Sequence, residues 1–278
     1  MIKLKFRQSA LTFESSAFQI NYKIEEIINR QIFLDFRSVT FIDPFSMLFL
    51  KYLLDTLSKK NFVKITFDSP DVINYLIRMS FNNHFTYNQN LVFNPDLNHI
   101  QIRKKDLSDR LIELTNYTIN NDDDVEQITL HIIEIVSSKI QYYDEISDVF
   151  QTAISETISN IQVHSTKNIA CVCLQTYGNS VIIALGDDGI GIKASLKNEA
   201  INLNDEDAID KALKPLVSGR PDGGGMGLTE LVEKIKNRND CLGIRSGSGY
   251  IFLENGIIRK GKCAGLPGTQ LMIKLSKC

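Results

Sequence analysis

The chain has no excess of basic residues, no long apolar run and no cysteines at metal-binding spacing, and each absence removes a class of protein. Lysine and arginine number 31 against 33 aspartates and glutamates, a formal net charge of −2. A nucleic-acid footprint needs a basic patch or stripe, so the balance argues against a nucleic-acid partner and for a mixed, soluble surface. No run of about 18 apolar residues is present, which argues against a membrane span or a membrane partner. The first residues, Met1 to Phe6, alternate like a strand and lack the apolar block of a signal peptide, so the expected location is the cytoplasm. The five cysteines, Cys171, Cys173, Cys241, Cys263 and Cys278, include no Cys-x-x-Cys pair. They read as small buried thiols in a reducing compartment rather than as a zinc site. No internal repeat or low-complexity tract appears.

What is present suffices for globular cores throughout. Hydrophobic residues make up 43% of the 278-residue chain, a length that suggests two modest domains. In the first hundred residues, strand-like runs at 32–36, 39–42 and 62–67 alternate with helical ones. Asp43-Pro44 opens a helix to about Lys59, with Asp as cap and Pro at the first helical position. Ser69-Pro70-Asp71 opens a second helix. This rhythm predicts a small α/β layer domain. From Phe81 to Asn98 no clean period appears, and residues 101–124 read as a linker or helical connection. From Val125 to about His164 the pattern is helical, with an interruption near Tyr143-Asp144. Two strands follow, 170–176 and 180–186, with Tyr177-Gly178-Asn179 as the turn. A polar loop is expected from 193 to 222, a helix from 228 to 236, and strands at 241–246, 250–253 and 269–275. Helices followed by an antiparallel meander predict a two-layer α/β sandwich for 125–278.

Three short motifs carry chemistry. Glu156-Thr157-Ile158-Ser159-Asn160 places a carboxylate and an amide one helical turn apart, with His164 a turn later. The amide oxygen suits Mg²⁺, and the carboxylate suits orienting or deprotonating a hydroxyl or water. Asp187-Asp188-Gly189-Ile190-Gly191 ends an apolar strand, where a partly buried carboxylate accepts a hydrogen bond from an exocyclic amine and the glycines admit a flat ring. Gly223-Gly224-Gly225-Met226-Gly227 precedes a helix, a natural anion cradle of backbone N–H groups, and no Lys-Ser/Thr follows to make a P-loop. Taken singly, a solvated helix face, a strand-ending turn and a flexible hinge account for each equally well.

In this order the motifs resemble the asparagine box and the two glycine boxes of the GHKL ATPases, the superfamily of gyrase and the sensor histidine kinases. Gly268-Thr269 looks like that family's final glycine-threonine element. The resemblance implies a Bergerat-type α/β fold over 125–278 that binds ATP and Mg²⁺. It places Asn160 on the metal and Asp187 on adenine. Gly189, Gly191, Gly223, Gly225, Met226, Gly227 and Thr269 then surround the nucleotide, Glu156 is the general base, and 193–222 is a lid over the nucleotide. Arg220 lies beside the glycine run, where a phosphate contact and a surface charge are both open readings.

The segment Leu34 to Asp43 followed by a helix looks like a STAS domain, the fold of the anti-sigma antagonists. Residues 1–100 are then a STAS-like domain, and the whole is similar to the compact anti-sigma-factor serine kinases. The position two after Asp43, where that family carries its phosphoacceptor, is Phe45. Either Ser46 substitutes for it, or the domain is a docking module that is not phosphorylated; the second is the expectation. His131 is the one upstream candidate for a histidine-kinase phosphoacceptor, and it is expected to be a packing residue instead. The resemblance implies a regulatory protein that works by partner switching, with a sigma-factor-like or STAS-domain protein as partner. Compact domains of this type are often homodimers. A chain that binds ATP as a gate for protein interaction, or turns it over slowly in stress or defence signalling without kinase activity, is the alternative.

Overall fold

Apolar runs at strand length, separated by well-capped helices, build the first hundred residues into a parallel α/β layer. The computed structural model describes residues 1–13, 15, 24–104, 106–140, 143–164, 168–214, 227–236, 238 and 240–277. Strands β1 (Ile2–Lys5), β3 (Gln31–Asp35), β5 (Phe62–Thr66) and β6 (Leu91–Asn94) form a four-stranded sheet in the order β1-β3-β5-β6, every pair parallel. Short strands β2 (Ala10–Leu11) and β4 (Phe41–Ile42) pair separately. Helix α1 (Pro44–Ser58) starts as expected: the Asp43 carboxylate accepts the Ser46 N–H at 2.6 Å and Pro44 opens the helix. Helix α2 (Pro70–Arg78) is capped by Ser69, whose hydroxyl accepts the Val72 N–H. β6 falls in the stretch where the sequence shows no period; as an edge strand it needs only Leu91 and Phe93 facing inward.

The second half is built on a five-stranded antiparallel sheet, ordered β10-β11-β9-β8-β7. Its strands are β7 (Leu111–Thr118), β8 (Ile169–Thr176), β9 (Ser180–Gly186), β10 (Cys241–Glu254) and β11 (Ile257–Ser276). β7 corrects the expectation of a linker or helical connection at that place. Its alternation is broken by a bulge between Ile112 and Thr115, and its outer half is half-exposed, so the period-2 signal is weak. The three strands expected near the end are two long ones, joined across Asn255-Gly256, with register shifts at Ser246 to Gly249. Helices α3 (Asp122–Ser137), α4 (Ser147–His164) and α7 (Gly227–Ile235) cover one face of this sheet. The Asn120–Asp124 polar run is the start of α3: Asn121 caps it by accepting the Asp124 N–H. His131 is exposed on α3, with its Nδ1 3.5 Å from the Tyr117 hydroxyl, and is not the packing residue expected.

The other face of the same sheet is covered by the first hundred residues. Helix α1 packs on β8, β9 and β11 on one side and on β5 on the other. Residues Pro44 to Leu54 are buried all round, because the helix lies between two sheets. One apolar cluster therefore runs from Phe6 and Ile32 through α1 to Cys173, Phe252 and Met272. Phe13 stacks on Phe252 at 5.0 Å, and Gly243 lets that ring lie against β10: a Cβ there would sit 2.4 Å from it. The protein is thus mixed α/β, with parallel and antiparallel sheets sharing one helix layer. Among the described residues no helix is long and apolar enough to cross a membrane.

Candidate functional site

The end of β9 is where the expected binding residues meet. Along β9, Val181, Ile183 and Leu185 point to the helix-covered face, and Ile182 and Ala184 to the α1 side. Alternation carries Asp187 to the helix-covered face, just past the strand. The ladder continues there, with Asp187 N–H donating to the Thr269 carbonyl at 3.0 Å. One carboxylate oxygen accepts the Gly189 N–H at 2.6 Å and the other accepts the Thr269 N–H at 3.1 Å. Asp187 is 5% exposed. Burial pushes its carboxyl up to about 6, against the two backbone N–H groups that favour the charged form.

Glycine is required at two points of this corner. Gly268 has φ +74°, and a Cβ there would lie 2.0 Å from the Asp187 carbonyl oxygen. Gly191 has φ +77°, and its Cβ would lie 2.8 Å from Ser246 Oγ. Ser246, on β10, ties the corner together. Its hydroxyl accepts the Ile192 N–H at 2.8 Å, donates to the Gly268 carbonyl at 3.2 Å and lies 3.1 Å from Thr269 Oγ1. Ser246 belongs to none of the three sequence motifs. The signal available is the small-residue run Ser246-Gly247-Ser248-Gly249, which marks a bulge rather than a plain strand.

Asp187, Gly189 and Thr269 are therefore joined by hydrogen bonds, and Gly191 lies beside them against Ser246. Glu156 and Asn160 lie on α4, which packs over β8 on the same sheet face. Phe150, Ala153, Ile154, Ile158 and Ile161 form the buried stripe of α4. Glu156 is half-buried and Asn160 exposed, both outside that stripe. Gly227 opens α7, which packs on α4. Gly223, Gly225 and Met226 lie outside the described residues, as does Arg220.

The expected polar loop over 193–222 is partly helical. Helices α5 (Gly191–Ser195) and α6 (Asp205–Ala212) lie in its described part. Asn204 caps α6, and Asp205 accepts both the Ser248 N–H at 2.8 Å and the Ser248 hydroxyl at 2.6 Å, anchoring the helix start to the β10 bulge. A sequence so rich in acidic residues reads as loop, yet three of them occupy the first turn of α6, where the helix dipole favours them.

The donor set suits an adenine nucleotide. Each Asp187 oxygen takes one backbone N–H and keeps a lone pair for an exocyclic amine. The two positive-φ glycines bring backbone close to the same corner. Asn160, exposed on α4, carries an amide oxygen of the neutral, hard kind that Mg²⁺ accepts.

Ser46 is 1% exposed, in the first turn of α1 under the second sheet, and its hydroxyl has no hydrogen-bond partner. Four of the cysteines are free thiols, with Cys171, Cys173 and Cys241 buried and Cys263 half-buried. No protein-family model matches the chain, and a search of curated proteins returns no similar sequence.

Proposed function

We propose that the chain is a cytoplasmic Mg-ATP-binding regulatory protein similar to the anti-sigma-factor serine kinases, acting by switching protein partners. One observation carries this reading. Asp187, Gly189 and Gly268-Thr269, read from the sequence as nucleotide residues, form one bonded corner with Gly191 beside it, on the sheet face against which α4 packs. In this reading Asp187 accepts the adenine amine as a carboxylate, Asn160 holds the metal, and Glu156 takes the proton of an attacking hydroxyl or water. Mg²⁺, when bound, neutralises phosphate charge.

A specific observation favours the second reading, an ATP-gated interaction module without phosphoryl transfer to its own first half. Ser46, the substitute phosphoacceptor, is sealed between the sheets, and Phe45 is buried beside it. A kinase site cannot reach a hydroxyl in that position without separating the halves.

Equilibrium binding of ATP with Mg²⁺ tests the pocket. Asp187→Asn replaces an acceptor by a donor and is expected to weaken ATP by about 30-fold, the loss of one charge-assisted hydrogen bond of about 2 kcal/mol. Unchanged affinity would remove the pocket assignment. Incubation with γ-labelled ATP then separates the two readings. Label on the protein or released phosphate, lost in Glu156→Ala, marks catalysis; ATP bound with neither marks the gated module.

A further inference from the structure

At the opposite end of β9 from Asp187, and on the opposite sheet face, the two halves of the chain enclose a cavity of about 320 Å³. β9 alone separates it from the nucleotide corner by about 20 Å, at roughly 3.3 Å per residue. The volume is far above the roughly 30 Å³ of one water and falls within the range of small-molecule pockets.

Its walls carry two carboxylates, Asp43 and Glu254, and one cation, Lys274. Asp43, 3% exposed, accepts the backbone N–H groups of Ser46 and Phe13. Lys274 enters from β11, on the same side as Met272, and makes no ion pair among the described residues. The third charged group of the wall, Glu254, is already neutralised by Arg259 at 2.8 Å. Asp43 and Lys274 feel each other's charge but do not approach to ion-pair distance.

The rest of the lining is aromatic and apolar. Phe13, Phe252 and Met272 form the inner wall, and Phe41, 41% exposed, stands at the rim. The Tyr177 ring lies 6.1 Å from that of Phe41. Three more hydroxyls are buried near the seam. The hydroxyls of Tyr177 and Tyr75 face each other closely enough to interact, and Ser46 Oγ lies beside Asp43.

From this geometry we infer that the seam between the halves is a binding site for a free α-amino acid with an apolar or aromatic side chain. The ligand's ammonium sits at Asp43 and the Tyr177 hydroxyl, its carboxylate at Lys274, and its side chain among Phe13, Phe41 and Phe252. A cation alone would leave Lys274 uncompensated in the seam, and an anion alone would leave Asp43 so. The inference uses no residue of the nucleotide corner and stands whether or not ATP binds there.

The test is a titration of the full chain labelled with ¹³C-methyl methionine, in the absence of nucleotide. Met272 lines the cavity, and Met79, buried elsewhere, is the internal control. L-phenylalanine is expected to shift the Met272 methyl resonance saturably. 2-Phenylethylamine and 3-phenylpropionate, each lacking one charge, are expected to bind at least about 10-fold more weakly, one lost charged contact being worth about 1.4 kcal/mol or more. Lys274→Gln and Asp43→Asn, the latter keeping a good helix cap, are expected to lose about 10-fold each. The inference is overturned if L-phenylalanine, L-leucine and L-methionine leave Met272 unmoved up to about 10 mM, a bound weaker than roughly −3 kcal/mol. It is equally overturned if the amine alone matches the amino acid. The half-ligand comparison needs only the unmodified chain, so a variant that fails to fold leaves the test intact.

Discussion

On the helix side of the five-stranded sheet the core is aliphatic, with Val181, Ile183, Leu185, Leu242, Ile244, Leu271 and Ile273 meeting Ile132, Ile154, Ile158 and Leu231. On the α1 side it is aromatic and partly polar, with Phe13, Phe45, Phe49 and Phe252 around Arg245 and Gln270. Arg245 is fully buried with no carboxylate among its described partners. It donates to Gln270 Oε1 at 2.8 Å, to the Ala264 carbonyl and to Cys263 Sγ at 3.2 Å, under the Phe49 ring at 5.0 Å. Burial lowers its pKa from the ordinary range. The first face keeps polar chemistry at its strand ends, at Asp187 and Thr269. The second holds polar groups inside a joint between two halves, where each partner is supplied only when the joint is formed.

Arg245→Met gives the largest expected break in that contrast. It strands Gln270 Oε1 and the Ala264 carbonyl in the seam, so stability falls by about 3 kcal/mol, measured by chemical denaturation. ATP affinity of the folded fraction is expected to fall less than in Asp187→Asn, since Arg245 reaches Asp187 only through Gln270, whose Nε2 donates to the Asp187 carbonyl at 3.5 Å. A neutral Arg245→Met would mean that packing alone holds the halves together.

Next in size is pH. Each face holds one buried carboxyl raised by desolvation to about 6: Asp43 in the seam and Asp187 at the corner. Between about 4 and 6 the folded chain binds more protons than the unfolded one, so stability falls as pH rises through that window. The loss is on the order of 2–3 kcal/mol per group. Asp43→Asn is expected to remove one of the two contributions while keeping the cap. A slope left intact by Asp43→Asn would assign the titration to the corner alone.

Smallest is Ser46→Ala. The hydroxyl is buried without a partner, so its removal leaves stability unchanged or raises it by under about 1 kcal/mol. Any label taken from γ-labelled ATP is expected to persist. Loss of label in Ser46→Ala would mean that the halves separate during the reaction.

Local signals in the sequence were strong where chemistry is local. Asp43-Pro44 and Ser69-Pro70 marked two helix starts, because a cap and a proline act within one turn. The turn Tyr177-Gly178-Asn179 and the strands beside it were legible from their apolar runs. β6 and β7 were not, since an edge strand buries little, and a bulge breaks the alternation of β7. The acidic start of α6 hid a helix that Asp205 anchors to Ser248 across 43 positions of sequence. The role of Ser246 is invisible for the same reason: its partners Ile192 and Gly268 are distant in the chain.

The sequence by itself determined the α/β class, the caps, the four residues that meet at the corner and the helix bearing Glu156 and Asn160. Continuous apolar runs in β8 and β9, Ala170 to Leu174 and Val181 to Leu185, also encoded burial on both faces, though not what covers the second one. Only the tertiary structure decided that the first hundred residues supply that cover. The apposition seals Ser46, buries Arg245 and encloses Asp43 with Lys274, because a residue's partners across a sheet are set by which faces meet, and no local pattern records that choice.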